Sequence, residues 1–160
     1  AFLGPSRMDM TALGLRAGGI LFPVPMTMNE PSRAQITRAT LEAIAYAVKS
    51  NVEQIESVVE TGAVSIALGG GMTRTRLWTD ILVNVLDRPV EVSREPQISA
   101  VGAYLCAMTG IGEFASIEEA AAGVADNLET VEPDPMLAME YDDHFQRWKD
   151  LETSLGEIQL

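Results

Sequence analysis

The fold is decided by the stretch Val64-Ser65-Ile66-Ala67-Leu68-Gly69-Gly70-Gly71, a short apolar run that ends in three consecutive glycines. Such a run is typical of a buried strand in a parallel sheet. Because glycine has no Cβ, the turn would let the backbone approach a ligand closely and leave the next helix N-terminus facing it. The same glycines also suit a turn that only packs a strand against a helix. The surrounding sequence has to decide between these two uses.

The residues before this stretch predict a long amphipathic helix. Pro31 suits a first helical turn, with Asn29 or Glu30 as its cap, and the helix should end before Gly62. Further upstream, the glycine pair at residues 18–19 predicts a turn, and residues 20–26 contain two prolines, which restrict any strand there to a sheet edge. Apolar or small side chains recur on one stripe of the helix at Ile36, Ala39, Thr40, Ala43, Ile44, Ala47, Val48, Val52 and Ile55.

The residues after the glycines predict two strand-and-helix units. A helix is expected over residues 76–86, a second short strand over 90–92, and a helix of small residues over 99–109. Consecutive units of this kind imply an α/β layer with right-handed crossovers. The remainder is expected to be helical, over residues 116–124 and from Pro135 to about residue 155. In the first of these helices the inward residues are expected to be Leu77, Ile81, Leu82 and Val85.

Composition limits the partners of this 160-residue chain. With 47% hydrophobic and 21% charged residues it has the balance of one globular domain. A net charge of -12, with 11 Lys and Arg residues, argues against nucleic acid and against an anionic membrane surface. A phosphorylated ligand stays possible, because backbone N–H groups can bind an anion whatever the net charge.

The single cysteine, Cys106, excludes an internal disulfide and favours a reducing compartment. No apolar run reaches the ~18 residues that a membrane span needs, and no signal peptide is evident, so a cytoplasmic location is expected. The start at Ala1 without an initiator Met fits either a cut through a longer protein or a processed N-terminus. No Cys and His set has the spacing of a zinc site.

The glycine turn has to be tested against two common nucleotide motifs. Glu91 lies about 20 residues downstream, where a dinucleotide-binding fold carries its ribose-binding acid. Arg74, however, stands where the third glycine of that fingerprint is needed. A P-loop also fails, because neither Gly-Lys-Ser nor Gly-Lys-Thr follows the glycines. Neither motif accounts for the turn.

Several sequence blocks occur in a fixed order along the chain. They closely resemble the C-terminal domain of the FGGY carbohydrate kinases, the family of xylulokinases, glycerol kinases and related sugar and polyol kinases. The resemblance covers roughly residues 18 to 150 and rests on the combination of blocks. The blocks are Arg38-Ala39-Thr40-Leu41-Glu42-Ala43-Ile44-Ala45-Tyr46, Ala67-Leu68-Gly69-Gly70-Gly71-Met72-Thr73-Arg74-Thr75-Arg76-Leu77-Trp78, Arg88-Pro89-Val90, Ser99-Ala100-Val101-Gly102-Ala103 and Glu132-Pro133-Asp134-Pro135.

The resemblance implies a fold and a division of labour. Residues 1–160 would be the C-terminal nucleotide-binding domain, half of an actin-like, ribonuclease H-like ATPase fold with a mostly parallel short sheet packed by helices. The whole enzyme would use ATP and Mg²⁺ to phosphorylate a sugar or polyol, and a pentulose such as xylulose is the expected substrate. The N-terminal domain would supply the catalytic base, most sugar contacts and most of the Mg²⁺ site. The chain alone is therefore expected to bind ATP or ADP weakly, if at all, and not to phosphorylate sugar; a homodimer is possible.

The same resemblance assigns site residues by position. Gly70 and Gly71 would line the nucleotide near its ribose and phosphates, and Thr75 would contact the adenine edge. Ser99 and Gly102 would belong to a second wall, with Gly102 leaving room beside the base. No catalytic or metal-binding residue is expected in this chain.

Three other side chains have simpler interpretations than chemistry. His144 is expected to be exposed on the last helix, while Cys106 and Trp78 are expected in the core. Three classes of function stay open from the residues: a kinase half, a Rossmann-type NAD-binding module of an oxidoreductase, and a non-catalytic interaction domain that keeps the fold.

Overall fold

The computed structural model describes residues 1–3, 18–22, 25, 28, 30–59, 65–93, 95–125 and 128–156. The chain divides into two compact units. Unit 1 comprises Ala1–Ala63, Asn84–Asp87 and Pro133–Leu160, and unit 2 comprises Val64–Val83 and Arg88–Glu132. Among the described residues, no helix combines the length and apolar character that crossing a bilayer requires.

Unit 1 is built on two long helices, α1 (Arg33–Val59) and α5 (Pro135–Gly156). Helix α1 begins with a reciprocal cap: the Gln35 backbone N–H donates to Ser32 Oγ at 3.2 Å, and the Ser32 N–H donates to Gln35 Oε1 at 2.8 Å. The expected cap at Asn29 or Glu30 was therefore wrong, because Ser32 offers both halves of this exchange.

Aromatic side chains form the core of unit 1. Tyr46 on α1 lies 6.0 Å from Phe145 and 5.9 Å from Trp148 on α5, measured between ring centroids. The Lys49 and Lys149 ammonium groups lie 4.8 and 4.5 Å from the Phe145 ring centroid, within range of cation–π attraction. The two helices are thus held by buried rings, with cations over one of them.

A short two-stranded pairing also belongs to unit 1. Strand β1 (Phe2–Leu3) pairs antiparallel with β2 (Gly18–Gly19). The expected turn at Gly18–Gly19 is therefore corrected to a strand. The edge strand considered over residues 20–26 is not seen at residues 20–22 or 25, and residues 23, 24 and 26 lie outside the described part of the chain.

Unit 2 contains a three-stranded sheet in the order β3-β4-β5. Strand β3 (Ala67–Leu68) pairs parallel with β4 (Val90–Ser93), and β4 pairs antiparallel with β5 (Leu128–Val131). The parallel pair agrees with two successive strand-and-helix units. The described sheet is nevertheless mixed and not mostly parallel, because β5, for which no strand was expected, forms its third strand.

Three helices belong to the same part of the chain: α2 (Arg76–Leu86), which also contributes residues to unit 1, α3 (Ile98–Gly110) and α4 (Ile117–Ala125). The bounds expected for α2 are confirmed. Trp78, Ile81, Leu82 and Val85 are buried, but Leu77 is 47% exposed and not inward. Trp78 takes the buried position of the first turn, and Leu77 is rotated about 100° away from it.

Two further expectations of burial were wrong. The strand predicted over residues 64–68 was expected to be buried, but the observed strand, Ala67–Leu68, lies at the edge of the three-stranded sheet. Ala67 is exposed and Leu68 is half-buried, while Val64 lies outside the described residues. Cys106 is exposed on α3. Helix α3 is rich in apolar residues, but none of them is buried. Its composition therefore led to a wrong prediction of burial for Cys106.

Candidate functional site

The glycine turn after β3 has a conformation that depends on glycine. Gly70 has φ 101° and ψ -172°, a backbone conformation that residues with a Cβ rarely adopt. A 3₁₀ helix, Gly71–Arg74, follows directly. The chain therefore does not pass straight from the turn into an α-helix, as a dinucleotide-binding motif does.

Thr75 connects this 3₁₀ helix to α2. Its backbone is extended, and its N–H donates to the Met72 carbonyl at 3.1 Å. Its own carbonyl accepts from the Trp78 and Thr79 N–H groups at 3.0 and 3.3 Å, so Thr75 is the residue at which α2 starts. The Thr75 side chain is exposed and open to a ligand.

The start of α3 lies against the glycine turn. A Cβ built on Gly69 would stand 3.4 Å from the Ile98 side chain, and one built on Gly70 would stand 4.0 Å from it. Ser99 follows Ile98 and is exposed, and Gly102 lies one helical turn further, with no atom near the place of its missing Cβ. The structure thus brings the Gly69–Gly70 turn next to the helix that carries Ser99 and Gly102.

Hydrogen bonds missed by the sequence analysis connect the same two segments. Thr73 Oγ1 donates to the Gly70 carbonyl at 2.8 Å and lies 3.4 Å from the Ser93 carbonyl. Ser93 Oγ accepts from the Glu95 N–H at 3.2 Å, and Glu95 Oε1 accepts from the Gln97 N–H at 2.7 Å, directly before α3. The sequence signal was a small hydroxyl residue three positions after a glycine, where it can bond back to the backbone.

A groove of about 500 Å³ lies on unit 2 beside the 3₁₀ helix. It carries charges of both signs, and Arg76 pairs with Asp80 at 3.6 Å on the exposed surface. None of the five residues expected to bind nucleotide lines this groove. Its lining consists of Thr73, Arg74, Arg76, Thr79, Asp80, Val92, Glu129, Thr130, Val131 and Glu132.

Unit 1 holds a polar cluster of its own. Arg38 Nε donates to Glu42 Oε1 at 2.8 Å, Arg38 Nη2 donates to the Tyr141 hydroxyl at 2.8 Å, and that hydroxyl donates to Glu42 Oε1 at 3.2 Å. Burial, followed by the nearby Glu42 carboxylate, raises the pKa of Tyr141. The three groups satisfy one another, so the cluster stabilises the packing of α1 on α5.

Within the described ranges, no three His, Cys, Asp or Glu side chains converge in a way that could hold a metal ion. His144 is exposed, as expected, with its ring edge-on to Tyr141 at 6.3 Å. Around the glycine turn, the chain offers a ligand backbone N–H groups, exposed hydroxyls at Thr75 and Ser99, and glycines with free space where a Cβ would lie.

A glycine turn that follows a parallel strand and lies against a helix start is typical of nucleotide-binding proteins. The chain belongs to the FGGY family of carbohydrate kinases, because its residues 9–111 match the C-terminal domain of that family.

Individual relatives agree with this assignment. The chain is 35% identical to L-fuculokinase of Escherichia coli strain K12 over 99 residues, which are 62% of this chain and 21% of that protein. It is 31% identical to glycerol kinase 1 of Thermotoga maritima over 134 residues, covering 72% of this chain and 27% of that protein. The chain thus spans about a quarter of the length of these relatives.

Solved structures show the same fold. The xylulose kinase of Rhodospirillum rubrum matches with a TM-score of 0.65 and 28% identity, over 87% of this chain and 28% of that one. The glycerol kinase of Plasmodium falciparum with ADP matches with a TM-score of 0.60 and 19% identity, over 89% of this chain and 26% of that one. At that identity the second likeness concerns the fold alone.

Proposed function

We propose that residues 1–160 are the C-terminal, ATP-binding domain of a carbohydrate kinase, one half of an actin-like, ribonuclease H-like ATPase fold. The observation that carries the proposal is the position of the Gly70 turn against the start of α3 in a chain of the FGGY family. The N-terminal domain of the whole enzyme supplies the catalytic base and most contacts to the sugar or polyol. This agrees with the small share of its relatives that the chain spans.

In this proposal the predicted residues are assigned to three parts of the nucleotide site. Gly70 and Gly71 lie at the ribose and phosphates, where the missing side chains allow close approach to the backbone. Thr75, whose side chain is exposed at the start of α2, contacts the adenine edge. Ser99 and Gly102 form the second wall, and the open space at Gly102 accommodates the base.

The chemical contribution of this domain is positioning. Phosphoryl transfer depends on alignment of the reacting oxygens and on stabilisation of charge at the phosphates. Mg²⁺, when bound, would neutralise the phosphates, with ligands that the proposal assigns mainly to the N-terminal domain and to the nucleotide. The present residues hold and orient ATP.

The sugar is proposed to be a pentulose such as xylulose. The support is the likeness to the Rhodospirillum rubrum xylulose kinase, which extends over most of this chain. L-fuculokinase, with 35% identity over a shorter segment, makes a related ketose the next choice. The test is ADP release in the presence of xylulose, other ketoses and glycerol, using the whole enzyme.

The nucleotide site is tested by calorimetric titration of the whole enzyme with Mg·ADP and with NADH. We expect ADP to bind and Gly71→Val to weaken it by about tenfold or more, because a branched side chain would occupy ligand space. Gly123→Val on α4 is the matched control and should bind ADP normally. NADH binding that requires Glu91, or a failure of ADP to bind, would replace this proposal with another function, whereas ADP binding indifferent to Gly71 would remove Gly71 from the site.

A further inference from the structure

The Gly70–Gly71 peptide unit is held in place by Thr73. The Gly70 carbonyl accepts from Thr73 Oγ1 at 2.8 Å and from the Thr73 backbone N–H at 3.2 Å. Thr73 Oγ1 has one proton, and the shorter distance assigns it to Gly70, with the Ser93 carbonyl at 3.4 Å as a weaker second acceptor. Both donors of one residue thus fix the direction of a single carbonyl.

The direction of that carbonyl determines the direction of the Gly71 N–H. Carbonyl and N–H of one trans peptide unit share a plane and point in opposite directions, and no cis peptide occurs in the described residues. Because the Gly70 carbonyl faces Thr73, the Gly71 N–H faces away from it.

Without this restraint the peptide unit would rotate easily. Rotation of a peptide plane changes ψ of the residue before it and φ of the residue after it, and here both residues are glycine. Glycine lacks the Cβ contacts that confine these angles in other residues. Gly70 already occupies φ 101°, where glycine is strongly favoured. The side chain of Thr73 therefore adds to its backbone N–H in selecting one of several accessible orientations.

We propose that Thr73 is a positioning residue that aims the Gly71 N–H at a phosphoryl oxygen of the bound nucleotide. The inference rests on the proposed function, because it takes Gly71 as a nucleotide contact. Thr73 does not itself touch the ligand. A backbone N–H that donates to an anionic oxygen forms a strong hydrogen bond only when it is directed at that oxygen. Loss of the Thr73 hydroxyl therefore weakens ligands that carry phosphate and spares those that lack it.

The test compares ADP with adenosine in the whole enzyme. Thr73→Val keeps the shape of the side chain and removes the hydroxyl, and Thr73→Ser keeps the hydroxyl. We expect Thr73→Val to raise the Kd for ADP by on the order of tenfold and to leave the Kd for adenosine unchanged. Thr73→Ser should restore ADP binding, and the KM for sugar should stay the same in both variants.

A matched control removes another threonine hydroxyl from the same unit. Thr109 Oγ1 donates to the Leu105 carbonyl at 2.9 Å near the end of α3, and Thr109→Val should leave both Kd values unchanged. An equal loss of ADP and adenosine affinity in Thr73→Val, or failure of Thr73→Ser to restore ADP binding, would show that Thr73 is only structural.

A measurement on the unaltered protein covers the case in which Thr73→Val does not fold. The Gly71 amide proton, observed by NMR, should move downfield when ADP is added and not when adenosine is added. An unmoved Gly71 resonance overturns the inference while ADP binding itself upholds the proposed function. If ADP does not bind to the unaltered enzyme, the proposed function fails and the inference fails with it.

Discussion

The Asn84 side chain binds the backbone of Asp134, across 50 positions of sequence: its Oδ1 accepts from the Asp134 N–H at 2.7 Å. Asp134 in turn caps α5, because its Oδ1 accepts from the Met136 and Leu137 N–H groups at 2.8 and 3.3 Å. Asn84 is 7% exposed. A buried amide thus holds the residue at which the last helix of unit 1 begins.

Replacement of this amide should destabilise unit 1. We expect Asn84→Ala to lower the free energy of unfolding by about 1–3 kcal/mol, because the Asp134 N–H loses its partner in a partly buried place. Urea unfolding followed by circular dichroism measures the change. The control is Gln146→Ala, which removes an exposed amide from α5 and should cost roughly 0.5 kcal/mol or less. Equal effects in both variants would mean that the Asn84 bond contributes nothing.

Replacement by alanine should have different effects on stability at Gly70 and at Gly71. Gly70→Ala places a Cβ at φ 101° and should destabilise the protein by about 1–3 kcal/mol. Gly71 has no positive φ, and its added Cβ would meet no atom within 4 Å, so Gly71→Ala should keep the stability of the wild type. We expect Gly71→Ala instead to weaken ADP binding, because the methyl group lies where the ligand approaches. Thermal unfolding with and without ADP separates the two effects, and a Gly71→Ala protein with normal ADP affinity would remove Gly71 from the site.

The helical glycines of α3 and α4 allow a similar comparison. Neither Gly102 nor Gly123 has an atom within 4 Å of an added Cβ, and alanine favours a helix over glycine by about 1 kcal/mol. Both Gly102→Ala and Gly123→Ala should therefore raise the stability of the free protein. Only Gly102→Ala should weaken ADP binding, since Gly102 is proposed to leave room for the base. Calorimetric titration of both variants decides this, and unchanged ADP affinity in Gly102→Ala would place the base elsewhere.

The aromatic core of unit 1 should be highly sensitive at Phe145. This side chain is 0% exposed, packs beside Tyr46 and Trp148, and has two lysine ammonium groups at 4.8 and 4.5 Å from its ring centroid. Phe145→Ala should cost about 3–5 kcal/mol through lost burial and the cavity it leaves. Leu137→Ala, at an exposed position of α5, is the comparison and should cost roughly 1 kcal/mol or less. Chemical denaturation that gives similar midpoints for the two variants would contradict the packing described for α1 and α5.

The raised pKa of Tyr141 makes stability depend on pH in the alkaline range. Burial and then Glu42 favour the neutral phenol in the folded protein, so the stabilisation is complete below the ordinary pKa of about 10 and is lost as pH rises through the higher folded pKa. We expect the urea midpoint to fall above roughly pH 10 and to fall less in Tyr141→Phe. Tyr46, whose pKa is also raised by burial, accounts for part of the fall that persists.

Helices were predictable to the extent that their signals are local. The bounds of α2, and the start of α5 at Pro135, follow from apolar spacing and turn residues within a few positions. Strand β5 was missed because Leu128-Glu129-Thr130-Val131 is short and mostly exposed, and its strand conformation depends on pairing with β4. The exposure of Cys106 was missed because composition cannot tell which neighbours an apolar helix has.

The candidate site, like the helices, was predictable only where its signals are local in the sequence. Gly70 stands out in the sequence, and its positive φ provides a physical reason for glycine there. The contact of Ile98 with Gly69 joins segments that are far apart along the chain, and only the family resemblance placed both in one site. Thr73 could not be identified from the residues alone, because its bond to Gly70 depends on the 3₁₀ helix that follows the glycines. Whether Gly70, Gly71, Thr75, Ser99 and Gly102 bind nucleotide stays a prediction.

The division of unit 1 into three segments has a consequence for folding during synthesis. The aromatic face of α1, centred on Tyr46, is covered by residues of α5, which leave the ribosome only after all of residues 64–132. Unit 2 can therefore collapse while α1 still exposes its apolar stripe to chaperones or to other nascent chains. Translation that stalls before Phe145 is made would leave α1 without the ring that completes its core.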